Sequence, residues 1–250
     1  LNNSLLNFIL RIADNNLILG HRLSEWCGHG PILEQDIALT NIALDLVGQS
    51  RNYYQLAAEI KGEGATEDDF AYLRDVYAFK NVLLTEQPNG HFGETMTRQF
   101  FFDVFNFYFT SELTKSSNEQ LAAIASKSLK EITYHLKFSS EWMIRLGDGT
   151  EESHAKMQQA VDDLWMYTGE LFLADELDRE MAENGVGVKL EKIKPYFDKK
   201  VAEILTQATL TIPETGWMQK GGKTGQHSEH LGFILAELQF LQRAYPGAKW

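Results

Sequence analysis

Residues 121–146, LAAIASKSLKEITYHLKFSSEWMIRL, run without a glycine or a proline, and their apolar side chains return every three to four positions. A stretch of that kind is predicted to form one long amphipathic helix. At 1.5 Å per residue it is about 40 Å long, the full length of a helical bundle. Such a helix cannot bury its stripe alone, so helices of similar length must lie beside it.

The rest of the chain supplies them. Asn3 or Ser4 is placed to cap a first helix in which Leu5, Phe8, Ile12, Leu19, Leu23 and Trp26 share a face, ended by Gly28 and Gly30–Pro31. A second helix is predicted over Leu33–Ile60, with Leu39, Ile42, Ala43, Leu46, Tyr53 and Ala57 inward and Gln49 on the stripe's edge. Thr66 with Asp69 caps a short helix. After the turn Pro88–Asn89–Gly90, a third long helix covers Phe92–Leu113, where Asp103 lies among phenylalanines on the line Met96, Phe100, Phe107. Ser117-x-x-Gln120 reads as the capping box of the helix 121–146, which Gly147 terminates. Further helices are predicted over Ser153–Phe172, up to the break Asn184–Gly185, from Pro195 to about Ala208 and over Ser228–Tyr245, with a loop at Pro213–Gly225. Two-residue alternation is almost absent. The expectation is an all-α chain in one domain, 1–250: a long four-helix bundle with additional C-terminal helices around it.

Composition narrows the function classes. A formal net charge of −12 argues against nucleic acid as a partner, because a phosphate backbone needs a basic footprint. No apolar run approaches the roughly 20 residues of a membrane span, and no basic region precedes an apolar core at the start. The single cysteine, Cys27, cannot form an internal disulfide, which points to a cytoplasmic protein.

Long bundles hold two irons in ferritin-like proteins, with a carboxylate from each of two helices and a Glu-x-x-His pair from each of the other two. Here Ile132–His135 on the fourth helix and Leu46–Gln49 on the second have that geometry, with isoleucine and leucine where glutamates would stand. Glu25 and Asp103 are the carboxylates left. Glu25, Asp103 and His135 are three candidate ligands, enough for a single metal and too few for a pair. Each also has a plain structural reading. His135 is placed to be a hydrogen-bonded core residue. Asp103 among phenylalanines needs a partner, with His135, Arg22 and Arg51 as candidates. Glu25 is placed either inward or exposed at a helix end.

Other constellations are weaker. Glu131 stands four residues before His135 but off the inner stripe, and Lys127 offers it a surface pair. Glu151-x-x-His154, at a helix start, reads as structural. His227-x-x-His230 with Glu229 lacks a nearby third ligand. The loop Lys220-Gly-Gly-Lys223-Thr-Gly makes Lys220 and Lys223 candidates for a phosphate or partner contact. A P-loop would need glycine at Trp217 and a preceding strand. No nucleophile arrangement is visible; Cys27 has only His29 near it.

The stretches SEWCGHGP (24–31), NIALDLVGQSRNYYQLAAEIKGEG (41–64), LLTEQPNGHF (83–92), KEITYHLKFSSEW (130–142) and GGKTGQHSEHLGFILAELQFLQRAYPG (221–247) resemble the ferritin-like subunits of bacterial phenylacetyl-CoA epoxidases. These are multicomponent monooxygenases of aerobic phenylacetate breakdown. The likeness falls on the structural, non-catalytic subunits of that family. It implies a partner: a homologous catalytic subunit holding the di-iron centre and the CoA thioester, alongside other epoxidase components. Carried over, the catalytic subunit's ligand carboxylates fall on Glu25 and Asp103, and its two Glu-x-x-His pairs on Leu46–Gln49 and Ile132–His135, of which only His135 is kept. The resemblance therefore implies no cofactor and no catalytic residue in this chain. Two other readings are a metal-binding oxidase with a mononuclear site at Glu25, Asp103 and His135, and a CoA-contacting subunit using Lys220 and Lys223.

Overall fold

The computed structural model describes residues 2–214 and 216–248. Among them there is no β-strand; the chain is all-α, consistent with a ferritin-like helical bundle. It divides into two compact units. One comprises the described residues of Leu1–Gln87 and Gly221–Trp250, the other Pro88–Lys220.

The first unit is built on α1 (Asn2–Ser24) and α2 (Leu33–Lys61), which pack along each other. Gly20 marks a close approach: a Cβ there would lie 3.2 Å from Val47 Cγ2 and 3.3 Å from the Ala43 carbonyl oxygen. Short α3 (Glu67–Tyr72) starts with the expected box, Thr66 accepting from the Asp69 amide and Asp69 from the Thr66 amide. An irregular segment then leads through α4 (Leu83–Glu86). Its backbone needs partners, and α1 provides them. The Lys80 amide donates to Asp14 Oδ2 and the Val82 amide to Asn15 Oδ1, both at 2.8 Å. The C-terminal helix, numbered α10 (Glu229–Ala244), returns to this unit, where Gln239 donates to the Ala71 and Arg74 carbonyls.

The second unit holds α5 (Phe92–Leu113), α6 (Glu119–Gly147), α7 (Glu151–Trp165), α8 (Glu176–Glu183) and α9 (Leu190–Gln207). The phenylalanines of α5 form its centre: Phe101 meets Trp165 edge-on at 5.6 Å, and Phe105 meets Phe172 at the same distance.

Five expectations need correction. The first helix already runs from Asn2, so Asn3 and Ser4 lie within it and do not cap it. The first helix ends at Ser24, so Glu25 and Trp26 lie in the turn beyond it, not on it. Asn118, not Ser117, caps α6, its side chain accepting from the Leu121 amide at 2.9 Å; Ser117 instead bonds the Gly185 and Asn184 carbonyls. The helix predicted over Ser153–Phe172 breaks after Trp165 into a turn and a 3-10 segment, Gly169–Phe172, and Phe172 packs between Phe105 and Phe197. Finally, α9 begins before Pro195. The missing proline N–H leaves only the Glu191 carbonyl without its intrahelical donor, near the helix start, while buried Leu190, Ile193 and Phe197 hold one stripe across it.

Candidate functional site

In the second unit Asp103 sits in the middle of α5, 1% exposed. Gln99, one turn earlier, donates its amide to Oδ1 at 2.7 Å, and the Ser139 hydroxyl of α6 donates to Oδ2 at 2.8 Å. Burial disfavours the charged form and outweighs the opposing pull of His135 and of those two donors, so the carboxyl is pushed up to about 7. The expected neighbour His135 is fully buried one turn from Ser139, and Ile132 is buried on the same helix. The two arginines considered as partners are engaged in the first unit. Arg51 pairs with Glu67 at 3.2 Å, and Arg22 donates to the Glu86 carbonyl at 3.0 and 3.1 Å. Asp103 is held by a glutamine and a serine instead.

Leu46 and Gln49 are buried side chains of α2. Glu25, beyond the end of α1, is exposed and accepts from Arg22 at 2.9 Å.

These residues do not fit a di-iron group. Leu46 and Ile132 carry no donor atom, and both oxygens of Asp103 already accept hydrogen bonds. Among the described residues no three His, Cys, Asp or Glu side chains are grouped to hold a metal ion.

The weaker constellations resolve into local architecture. His154 donates from Nδ1 to the Gly147 carbonyl at 2.8 Å, satisfying the end of α6. The glycine loop is packed, not open: a Cβ on Gly222 would lie 2.2 Å from the Asn81 carbonyl oxygen, and one on Gly225 2.4 Å from that of Tyr77. Gly225 also adopts φ 85°, left-handed backbone that a side chain disfavours. Lys223 is buried, whereas Lys220 is exposed.

Two buried polar clusters of the first unit escaped the reading of the sequence. Asp14 of α1, with no exposed surface, takes a two-pronged ion pair from Arg74, a hydrogen bond from Tyr54 Oη at 2.6 Å and the Lys80 amide. Burial and the Asp14 charge push the Tyr54 phenol well up. Glu86 of α4, equally buried, accepts from His227 Nδ1 at 2.8 Å, the Ser228 amide at 2.7 Å and Asn81 Nδ2 at 2.9 Å. The other ring nitrogen, His227 Nε2, faces the Phe79 carbonyl at 2.9 Å. Both nitrogens meet acceptors, so both carry protons and the pair is an imidazolium with a carboxylate. Burial pulls the His227 pKa down, but the hydrogen bond and charge of Glu86, together with the Phe79 carbonyl and the Asp14 charge, outweigh it and raise the value. The available signal was polar residues interrupting apolar stretches, at Asp14 in α1 and at Glu86 in LLTEQPNG; their partners lie far along the chain.

The phenylacetic acid catabolic protein family matches residues 1–250. The C component of the 1,2-phenylacetyl-CoA epoxidase of Escherichia coli (strain K12), one of the subunits of that enzyme, is 48% identical over 248 residues, 99% of this chain and 100% of that protein. No helix among the described residues is long and apolar enough to cross a membrane.

Proposed function

The chain belongs to the phenylacetic acid catabolic protein family, and from that premise we propose that it is a structural, non-catalytic subunit of a cytoplasmic multicomponent di-iron monooxygenase that epoxidises phenylacetyl-CoA. In this reading residues 1–250 act as one ferritin-like domain. They support a homologous catalytic subunit, which holds the di-iron centre and the substrate, while this chain has lost its own.

One observation carries the reading. The two positions on which the resemblance places the glutamates of the Glu-x-x-His pairs hold Leu46 and Ile132, and both are buried. Each apolar side chain contributes roughly 1.5–3 kcal/mol of burial where a ligand carboxylate would have to be desolvated. Asp103 and His135 are then the remnant of the polar set, with Asp103 retained as a hydrogen-bonded core acid. Such a core is stable without an ion, as a scaffold requires.

The test is reconstitution. The catalytic subunit expressed without this chain is expected to lose solubility or activity, and to regain it when the two are expressed together. Full activity from catalytic and reductase components alone would rule out the supporting role.

A further inference from the structure

While α2 buries Leu39, Ile42, Leu46 and Gln49, its opposite face carries an exposed apolar seam, bounded by Val47, which packs against Gly20 of α1. Leu33 is 71% exposed, Ile37 51%, Leu44 64% and Val47 37%, and Ile32 at the N-cap is 55% exposed. With the half-buried Thr40 between Ile37 and Leu44, these positions step by four, three, four and three residues, the spacing along which a second helix packs knobs into holes. Gly48 lies on the same face with no atom within 4 Å of where its Cβ would be. A glycine there weakens an exposed helix by about 1 kcal/mol relative to alanine and leaves room for close approach of another backbone.

The seam's size and charge identify its occupant. The exposed apolar side chains amount to on the order of 500 Å², the upper end of what a monomer leaves in one patch. A standard interface takes about 800 Å² from each partner, a little over half of it apolar, so this seam alone supplies the apolar share. Residues 31–50 contain Glu34, Asp36 and Asp45 and no lysine or arginine. A second copy of this chain would bring the same negative flank against it, and the chain carries −12 in total. We propose that the outer face of α2 docks an amphipathic helix of another subunit of the epoxidase, one whose apolar seam is flanked by lysine or arginine. This inference rests on reading the chain as a subunit of that complex.

The experiment measures association of the whole chain with the co-expressed remaining subunits of the epoxidase, by size-exclusion co-elution and by titration. Leu44→Asp and Leu33→Asp are each expected to weaken the complex roughly 30-fold or more, the scale of a lost interface anchor. Circular dichroism and melting temperature of the isolated chain should stay as in the wild type. Leu33 is the first residue of α2, where an added aspartate favours the helix dipole, so loss of binding by that variant cannot be attributed to unfolding. Phe240→Asp, at another exposed apolar position, on α10, should bind as the wild type does. Glu34→Lys should weaken binding more at low than at high salt. Wild-type binding by both aspartate variants overturns the seam while leaving the subunit reading intact. Conversion of a self-associated chain to monomers by those variants, with the heteromeric complex unchanged, assigns the face to a second copy and also overturns it. Failure of the wild-type chain to associate with any epoxidase subunit removes the subunit reading itself, and the seam's occupant with it.

Discussion

At Asp103 the fold acts directly on a single ionisation. Its pKa rises from 3.8 to about 7 on folding, so the native state holds the proton more tightly than the unfolded chain. Stability from this group is full below about pH 4, falls as pH rises from there through about 7, and is flat above. Asp103→Asn should therefore melt higher than the wild type at pH 9, by up to about 4 kcal/mol in stability, and the difference should shrink as pH falls and vanish only below about pH 4. Gln99 Oε1 has no hydrogen-bond partner, so a flip of that amide lets it accept from the new asparagine. A wild type as stable as the variant at pH 9 would mean that the carboxylate is paired. Arg74→Ala tests the opposite case, since it strands the buried Asp14 charge; urea denaturation should show a loss of about 3–5 kcal/mol. The sequence placed Asp103 correctly in an apolar helix because polarity against a 3.6-residue stripe is visible locally. It could not show Gln99 and Ser139 as the partners, because several donors of the chain were equally compatible with that stripe.

At the scale of elements, the ion pair of His227 with Glu86 helps to fasten the loop 221–228. The raised His227 pKa means that its contribution is present below the unfolded value, about 6.5, and lost as pH rises through the folded one. Hydrogen-exchange protection of the Ser228 amide, which donates to Glu86, should fall with rising pH on the alkaline side, after correction for intrinsic exchange. In His227→Gln, protection should be low throughout and pH-independent. The long helices were largely legible: Phe92–Leu113 forms as predicted, and α2 ends one residue later than expected. Their stripes are strong and their ends carry turn residues. The misses fall where tertiary contact overrides local rules. Phe172 leaves the helical path to meet Phe105 and Phe197, and buried Leu190 and Ile193 start α9 ahead of Pro195.

For the whole molecule, the proposed loss of the metal site has a direct consequence. Chelation with EDTA should leave the melting temperature within about 1 °C, and metal analysis should find no stoichiometric iron or manganese. Melting that falls on chelation would restore the mononuclear reading. Periodicity and side-chain identity suffice to establish that the chain is all-α and that its helices are of bundle length. Both are properties of short stretches, so the unfolded string of residues already carries them. Only the folded chain reveals that Lys223 is buried, that Arg74 reaches Asp14 across 60 residues and that His227 reaches Glu86 across 141. The uncovered second apolar face of α2 belongs with them. The physical reason is that a buried charge takes whichever partner the chain path brings within about 3 Å, and a periodic pattern carries no record of that path.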